Sequence, residues 1–235
     1  MRALTVSIVF PLMVAMVILG GVYQYEVDQL TDPTPRGAAF NTQDIIRGSS
    51  GKLEIDGGYG SATVGFYKGR FLVLTAGHCL EKVGETAKIT LHRAGQDYLL
   101  KVNCLATDPT LDLAIAGVTD GLPPFVYPDL TPAERLEEGD EFIQYHYPLD
   151  FERIFTRGQI LNPKVKSWKI WECCLSYVSG ESAPGSSGSA LWVRRGLDYR
   201  LGGILVGGHP RFGHSAKVAI HTTCIRQFLD SYVNQ

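Results

Sequence analysis

From Ala62 onward the chain is a series of short apolar or alternating runs cut by Gly, Pro and polar turn residues. Few architectures accept such a pattern. Residues 62–67, 71–75, 87–92, 98–105 and 113–118 read as strands, enough for a first small barrel. A Pro-rich connector at 121–132 follows, and its prolines argue against regular pairing there. Residues 142–147, 158–161, 169–177, 189–193 and 201–206 form a second set. Only at the end does the period change: Ile225, Phe228, Leu229 and Tyr232 recur at helical spacing, with Thr222 or Thr223 available as N-cap. The expectation is an all-β fold closed by one C-terminal helix. A chain of 235 residues with 26 Gly, 45% apolar and 20% charged residues fits one large globular domain or two small ones. No internal repeat is visible in the sequence.

The formal net charge of −2 leaves no basic footprint for nucleic acid. Lys164, Lys166 and Lys169 lie close together but read as a solvated strand face. Residues 4–22 carry no charge and follow Arg2, a length near the ~20 residues a membrane-spanning helix needs. The run exceeds the roughly 7–15 residues of a signal-peptide apolar region, and no A-x-A site follows. Residues 1–24 are therefore expected to be a transmembrane helix acting as an anchor, with a cleaved signal peptide as the alternative. Arg2 before the span and Glu26, Asp28 and Asp32 after it place the folded part outside the cytoplasm, or secreted or periplasmic if the segment is cleaved. Residues 25–48, with Asp-Pro, Thr-Pro and Arg-Gly steps, read as a flexible linker to a folded domain at 49–235.

Three motifs carry chemistry. Ser187 sits in a Gly-rich turn between Gly185 and Gly188, ahead of the apolar run that starts at Ala190. Such a turn lets the N–H groups of Gly185 and Ser187 point at one spot, although Gly/Ser runs are also plain loops. His78 follows the apolar run at 71–74, where a buried strand emerges. Asp112 lies among apolar residues, and a histidine N–H is a suitable partner for a carboxylate there. Asp108 is a rival for that role. Taken singly, His78 could be a hydrogen-bonded core residue and Asp112 a turn cap. The order His, Asp, Ser, with Ser189 where G-x-S-x-G needs its last Gly, excludes an α/β-hydrolase.

Thr75-Ala-Gly-His-Cys79, Asp112-Leu-Ala-Ile115 and Gly185-Ser-Ser-Gly-Ser-Ala190 resemble the histidine, aspartate and nucleophile motifs of the chymotrypsin-fold (trypsin-like) serine proteases. Within that clan the chain is closest to the HtrA-like and V8-like glutamyl endopeptidase branches. The resemblance runs from about Gly48 to the C-terminus, with no PDZ module after the helix. It implies two six-stranded antiparallel Greek-key barrels, at about 49–120 and about 136–235.

The resemblance further implies a serine endopeptidase acting on protein or peptide substrates through an acyl-enzyme, without cofactor or metal. Ser187 would be the nucleophile, His78 the base and Asp112 its orienting partner, with Gly185 and Ser187 forming the oxyanion hole. Glu181 and Ser182 fall where the family has its P1 pocket floor, and Leu205, Val206 and Gly207 on the strand that pairs with substrate. Glu181 suggests a basic P1 residue. Leu205 stands where the glutamyl branch has a histidine, which speaks against glutamyl specificity. Ile45-Ile46-Arg47-Gly48 resembles the new N-terminus of an activated trypsin, but Ser186 replaces the Asp it would pair with, so activation by that ion pair is not expected. His209 and His214 read as loop residues. Of five cysteines at least one stays unpaired in a monomer; small apolar core roles are the simplest reading, and the sequence selects no pair. A catalytically silent peptide-binding homologue and a dedicated viral or phage processing enzyme are the alternatives.

Overall fold

A computed structural model describes residues 42–165, 174–208 and 217–234. The chain begins there with helix α1 (Thr42–Ser49) and continues through strands β1 (Ser50–Ile55), β2 (Gly58–Tyr67), β3 (Arg70–Ala76), β4 (Thr86–Arg93), β5 (Gln96–Asp108) and β6 (Leu113–Val118). The second half holds β7 (Glu141–His146), β8 (Ile154–Val165), β9 (Leu175–Val178), β10 (Ala190–Arg195), β11 (Asp198–Gly208), β12 (Lys217–His221) and the closing helix α2 (Thr222–Val233). The expected membrane segment at 1–24 lies outside the described residues, and no helix among those described is long and apolar enough to cross a membrane.

Both sets of strands close into antiparallel six-stranded barrels. Closure leaves no unpaired edge to recruit another chain. The first barrel runs β1-β2-β3-β6-β5-β4 and the second β7-β8-β9-β12-β11-β10, the same order shifted by six. The repeat is topological, which is why the residues alone do not show it.

Alternation explains the first barrel's interior. Along β4, Ala87, Ile89, Leu91 and Arg93 face inward while Thr86, Lys88 and His92 face water. Ala87, Ile89 and Leu91 pack with Leu53, Val64, Val73, Leu100 and Val102. Phe142, Ile160, Val178, Leu191, Val193, Leu205 and Ala219 fill the second barrel. A third cluster joins the barrels and the helix through Leu72, Leu113, Tyr145, Trp192, Ile225 and Leu229. The site lies along that seam.

Three details differ from the sequence reading. Residues 42–49 are helical rather than part of a tether, because Ile46 is completely buried in the inter-barrel cluster and holds the segment down. The cap of α2 is His221, whose Nδ1 accepts from the Thr223 N–H at 3.1 Å, instead of Thr222 or Thr223. Burial, and secondarily the Lys164 charge, lowers the pKa of His221 and so favours the neutral ring that this cap needs.

The third concerns the cysteines. Cys174 and Cys224 form a disulfide between the start of β9 and α2, while Cys79 and Cys104 are free and buried. The bridge spans 50 positions, so it restricts the unfolded chain strongly. Replacing Cys224 with Ala should lower unfolding free energy by about 4 kcal/mol on the loop-entropy scale. Urea unfolding of the oxidised protein and the variant measures this; equal midpoints and slopes would refute it.

Candidate active site

The end of β3 builds the first half of the site. Ala76 pairs with Leu113, so the turn after β3 abuts the residue before β6. That turn is one 3-10 turn, Gly77–Cys79. A Cβ at Gly77 would stand 2.9 Å from Leu113 N and 3.1 Å from Asp112 Cα, so only glycine permits this approach. The approach brings Asp112 onto His78. The His78 backbone N–H donates to Asp112 Oδ1 at 2.7 Å, and ring Nδ1 lies 3.1 Å from Oδ1 and 2.9 Å from Oδ2. Asp112 holds φ +54°, a left-handed value costly for a non-glycine residue, and these bonds keep it there. Asp108, the rival, spends its Oδ1 on the N–H groups of Thr110 and Leu111 in its own turn.

The pair is not deeply buried: the imidazole is 46% exposed and the carboxylate 33%. The Asp112 hydrogen bond, then contact with the Cys79 side chain, raises the His78 pKa from 6.5 to about 10 against an opposing effect of burial. Solvent screening tempers that coupling for so open a pair. With Nδ1–H on Asp112, Nε2 is left to take a proton.

The second half is the turn 183–189. The Ser186 N–H donates to Ala183 O at 2.9 Å, with Pro184 second and Gly185 third at φ +93°, a type II turn. Both peptide groups around Gly185 are held. Pro184 O accepts from Leu149 N at 2.6 Å, and Gly185 O accepts from Ser61 Oγ at 2.8 Å. In a trans peptide N–H opposes C=O, so the Gly185 N–H points away from Leu149. Neither that N–H nor the Ser187 N–H donates to any described acceptor. Two unengaged donors flanking Ser186 are what an anion-stabilising pocket requires.

Ser61 is a residue of this site that the sequence reading missed. It is buried on β2, and its N–H donates to Ser187 O at 2.8 Å. Its Oγ also accepts from Tyr147 N at 3.0 Å, and its carbonyl accepts from Thr75 Oγ1 at 2.8 Å. One serine of the first barrel thus fixes the 185–188 turn of the second. Gly188, at φ +88°, has no room for a side chain: a Cβ would lie 2.1 Å from both Ser61 O and Thr75 Oγ1.

Ser186 is held from the other side. Its Oγ lies 2.7 Å from His146 Nδ1 and accepts from Ala183 N at 3.1 Å, while His146 Nε2 lies 2.9 Å from Thr156 Oγ1. His146 is 1% exposed, and burial lowers its pKa to about 4, so the ring is neutral near pH 7.

Ser187 is half-buried, with its carbonyl 3.9 Å from the Sγ of Cys79, the neighbour of His78. The motif residues therefore converge on one place, although the Ser187 hydroxyl makes no hydrogen bond to His78 in this structure. Leu205 N donates to Ser189 O and Leu205 O accepts from Gly188 N, at 2.9 and 2.7 Å. Its backbone is thereby spent, and a peptide strand would have to pair beyond it. Val206 and Gly207 are half-buried, and a Cβ on Gly207 would meet no described residue within 4 Å. Glu181 is exposed and Ser182 half-buried. No cluster of metal-ligating side chains occurs among the described residues.

Comparison with known proteins agrees with the fold. The family model described as "Trypsin-like peptidase domain" matches residues 60–197, more than half of the chain. Among solved structures, a serine-to-alanine mutant of Rv3671c from M. tuberculosis H37Rv, in its inactive form, superposes with TM-score 0.62 at 17% identity, covering 83% of this chain and 92% of that one. The HtrA-type protease AlgW with a tripeptide gives 0.65 at 21%, covering 81% of this chain and 62% of that one. A serine endoprotease from Yersinia pestis gives 0.63 at 15%, covering 84% and 68%. At such identities these likenesses show the fold. No curated protein matches the sequence.

Proposed function

We propose that this chain, which belongs to the trypsin-like peptidase family, is a serine endopeptidase that works through His78, Asp112 and Ser187. The observation that carries the reading is the His78–Asp112 pair beside a turn whose Gly185 and Ser187 N–H groups are unengaged. Ser187 Oγ attacks the scissile carbonyl while His78 Nε2 takes its proton. The carbonyl oxygen becomes an oxyanion and is met by the two N–H groups, each worth a few kcal/mol in the transition state. His78 then returns the proton to the leaving amine, an acyl-enzyme forms, and water repeats the sequence to release the acid. Asp112 holds the imidazole tautomer. Protein or peptide segments are the substrates, laid along β11 beyond Leu205.

A second reading, a silent homologue that binds peptides, is favoured by the missing Ser187–His78 hydrogen bond. Fluorophosphonate labelling separates the two. Labelling that is present in the wild type and abolished in Ser187→Ala and His78→Ala is expected; labelling that survives Ser187→Ala, or never occurs, removes the endopeptidase. On the same reading residues 1–24 tether the domain outside the cytoplasm. The Cys174–Cys224 bridge supports this, because reducing compartments disfavour disulfides. Recovery of the intact chain in the soluble cytoplasmic fraction would count against it.

A further inference from the structure

One charged interior side chain is used by nothing described above. Lys217 opens β12 and is only 4% exposed, yet its ammonium has no hydrogen bond or ion pair with any described residue. A covered lysine whose ammonium meets no counter-charge marks a place where a ligand can supply the anion.

Strand register places it. Lys217 pairs with Val178 at the end of β9 and with Gly208 at the end of β11. The chain leaving Val178 runs through 179–184 into the Gly185–Ser187 turn. On the other side, β11 is bonded to Gly188 and Ser189 through Leu205. Both neighbours of Lys217 thus lead to the nucleophile, and Lys217 closes the wedge between them. Residues two apart on a strand share a face, so Lys217 lies on the side of Ala219, which packs with Leu205 and Val178. Beside Gly207 a side chain would meet no described residue within 4 Å. Glu181, on the 179–184 segment, is exposed and forms no ion pair with Lys217.

We infer that Lys217 forms the floor of the P1 pocket and makes the enzyme cleave after acidic residues, Asp or Glu. The inference rests on the endopeptidase reading and names its substrate class. A P1 carboxylate supplies the anion that the unmatched ammonium lacks, while Leu205 and Ala219 offer apolar walls for its methylenes. A basic P1 side chain would set two cations together, and an apolar one would leave the ammonium unmatched. Exposed Glu181, the sequence-based reason to expect basic P1, stands outside this arrangement.

The test uses the full chain and fluorogenic peptides differing only at P1: Glu, Asp, Arg, Leu or Ala. Rates are normalised to active sites titrated with a fluorophosphonate. A Glu or Asp peptide should exceed the Leu, Ala and Arg peptides in kcat/KM by about 100-fold. Lys217→Met should bring the acidic peptides down to the Leu level, Lys217→Arg should keep the acidic preference, and Lys217→Glu should move preference toward Arg. A wild type without acidic preference, or a Lys217→Met loss equal at every P1, overturns the inference. If Ser187-dependent labelling is absent, it is the endopeptidase reading that fails, and the pocket is then tested by fluorescence anisotropy with the same peptides. Acid-selective binding lost in Lys217→Met supports it; indifferent or absent binding overturns it.

Discussion

Replacing Asp112 with Asn should lower kcat on the order of 10⁴-fold, the size of loss expected when the base of such a triad is left in the wrong tautomer. Asp112 accepts from both the backbone N–H and the ring of His78, at 2.7 and 2.9–3.1 Å. An amide can satisfy the backbone N–H with its oxygen and then presents its NH₂ to Nδ1. That arrangement asks Nδ1 to accept, moves the ring proton to Nε2, and removes the base that Ser187 needs. The pH profile gives an independent check. His78 must be neutral to act, and Asp112 raises its pKa from 6.5 to about 10. The wild-type rise in kcat/KM should therefore lie on the alkaline side of pH 6.5, and residual activity in the Asn variant should rise closer to it. Stability has the opposite sign: the His78–Asp112 contribution is full below pH 6.5 and is lost as pH rises through the folded-state pKa. A loss under ten-fold with an unmoved profile would show that Asp112 does not orient this histidine.

The readable parts of the site lie at the ends of apolar runs, and the unreadable parts are long-range. His78, Asp112 and Ser187 each adjoin a strand whose apolar run announces itself, and their order along the chain restricts the chemistry. Ser61 has no such signature, because its partner Gly185 is 124 positions away and a serine in a strand is otherwise ordinary. The choice between Asp108 and Asp112 likewise depends on which carboxylate the β3–β6 register delivers to Gly77. Strand β1 is short and begins with Ser-Gly, so its pairing with β2 and β4, more than its composition, makes it a strand. Helix α1 has one buried apolar side chain, Ile46, and too few turns for a period to show. The disulfide was hidden by a local ambiguity: Cys173 and Cys174 are adjacent, and only the position of α2 selects Cys174 for Cys224. Lys217 is one of many lysines in the sequence, and only its low exposure without a counter-charge sets it apart.

Replacing His146 with Phe should lower kcat by roughly 10²–10³-fold, the range seen when one oxyanion donor is lost, and should leave KM nearly unchanged. Ser186 lies between the two N–H donors, so whatever orients Ser186 orients both. Here the orienting group is a buried neutral imidazole bonded to Ser186 Oγ and Thr156 Oγ1, at 2.7 and 2.9 Å. Phe preserves most of the ring volume but leaves two buried hydroxyls without that partner and frees the turn to rotate. Oxyanion contacts form only in the transition state, which is why kcat bears the loss. Ser186→Thr, which keeps the hydroxyl, should retain more activity than Ser186→Ala. The same histidine makes the fold acid-sensitive. Burial lowers its pKa from 6.5 to about 4. Between those values the unfolded chain binds a proton that the folded one does not. Stability therefore falls as pH drops from 6.5 toward 4, by about 3 kcal/mol from this group, and levels off below the folded pKa. Urea unfolding at pH 7 and pH 4.5 should show the drop in wild type and a smaller one in His146→Phe. An equal drop in both proteins, or a loss confined to KM, would mean that His146 only fills space beneath the turn.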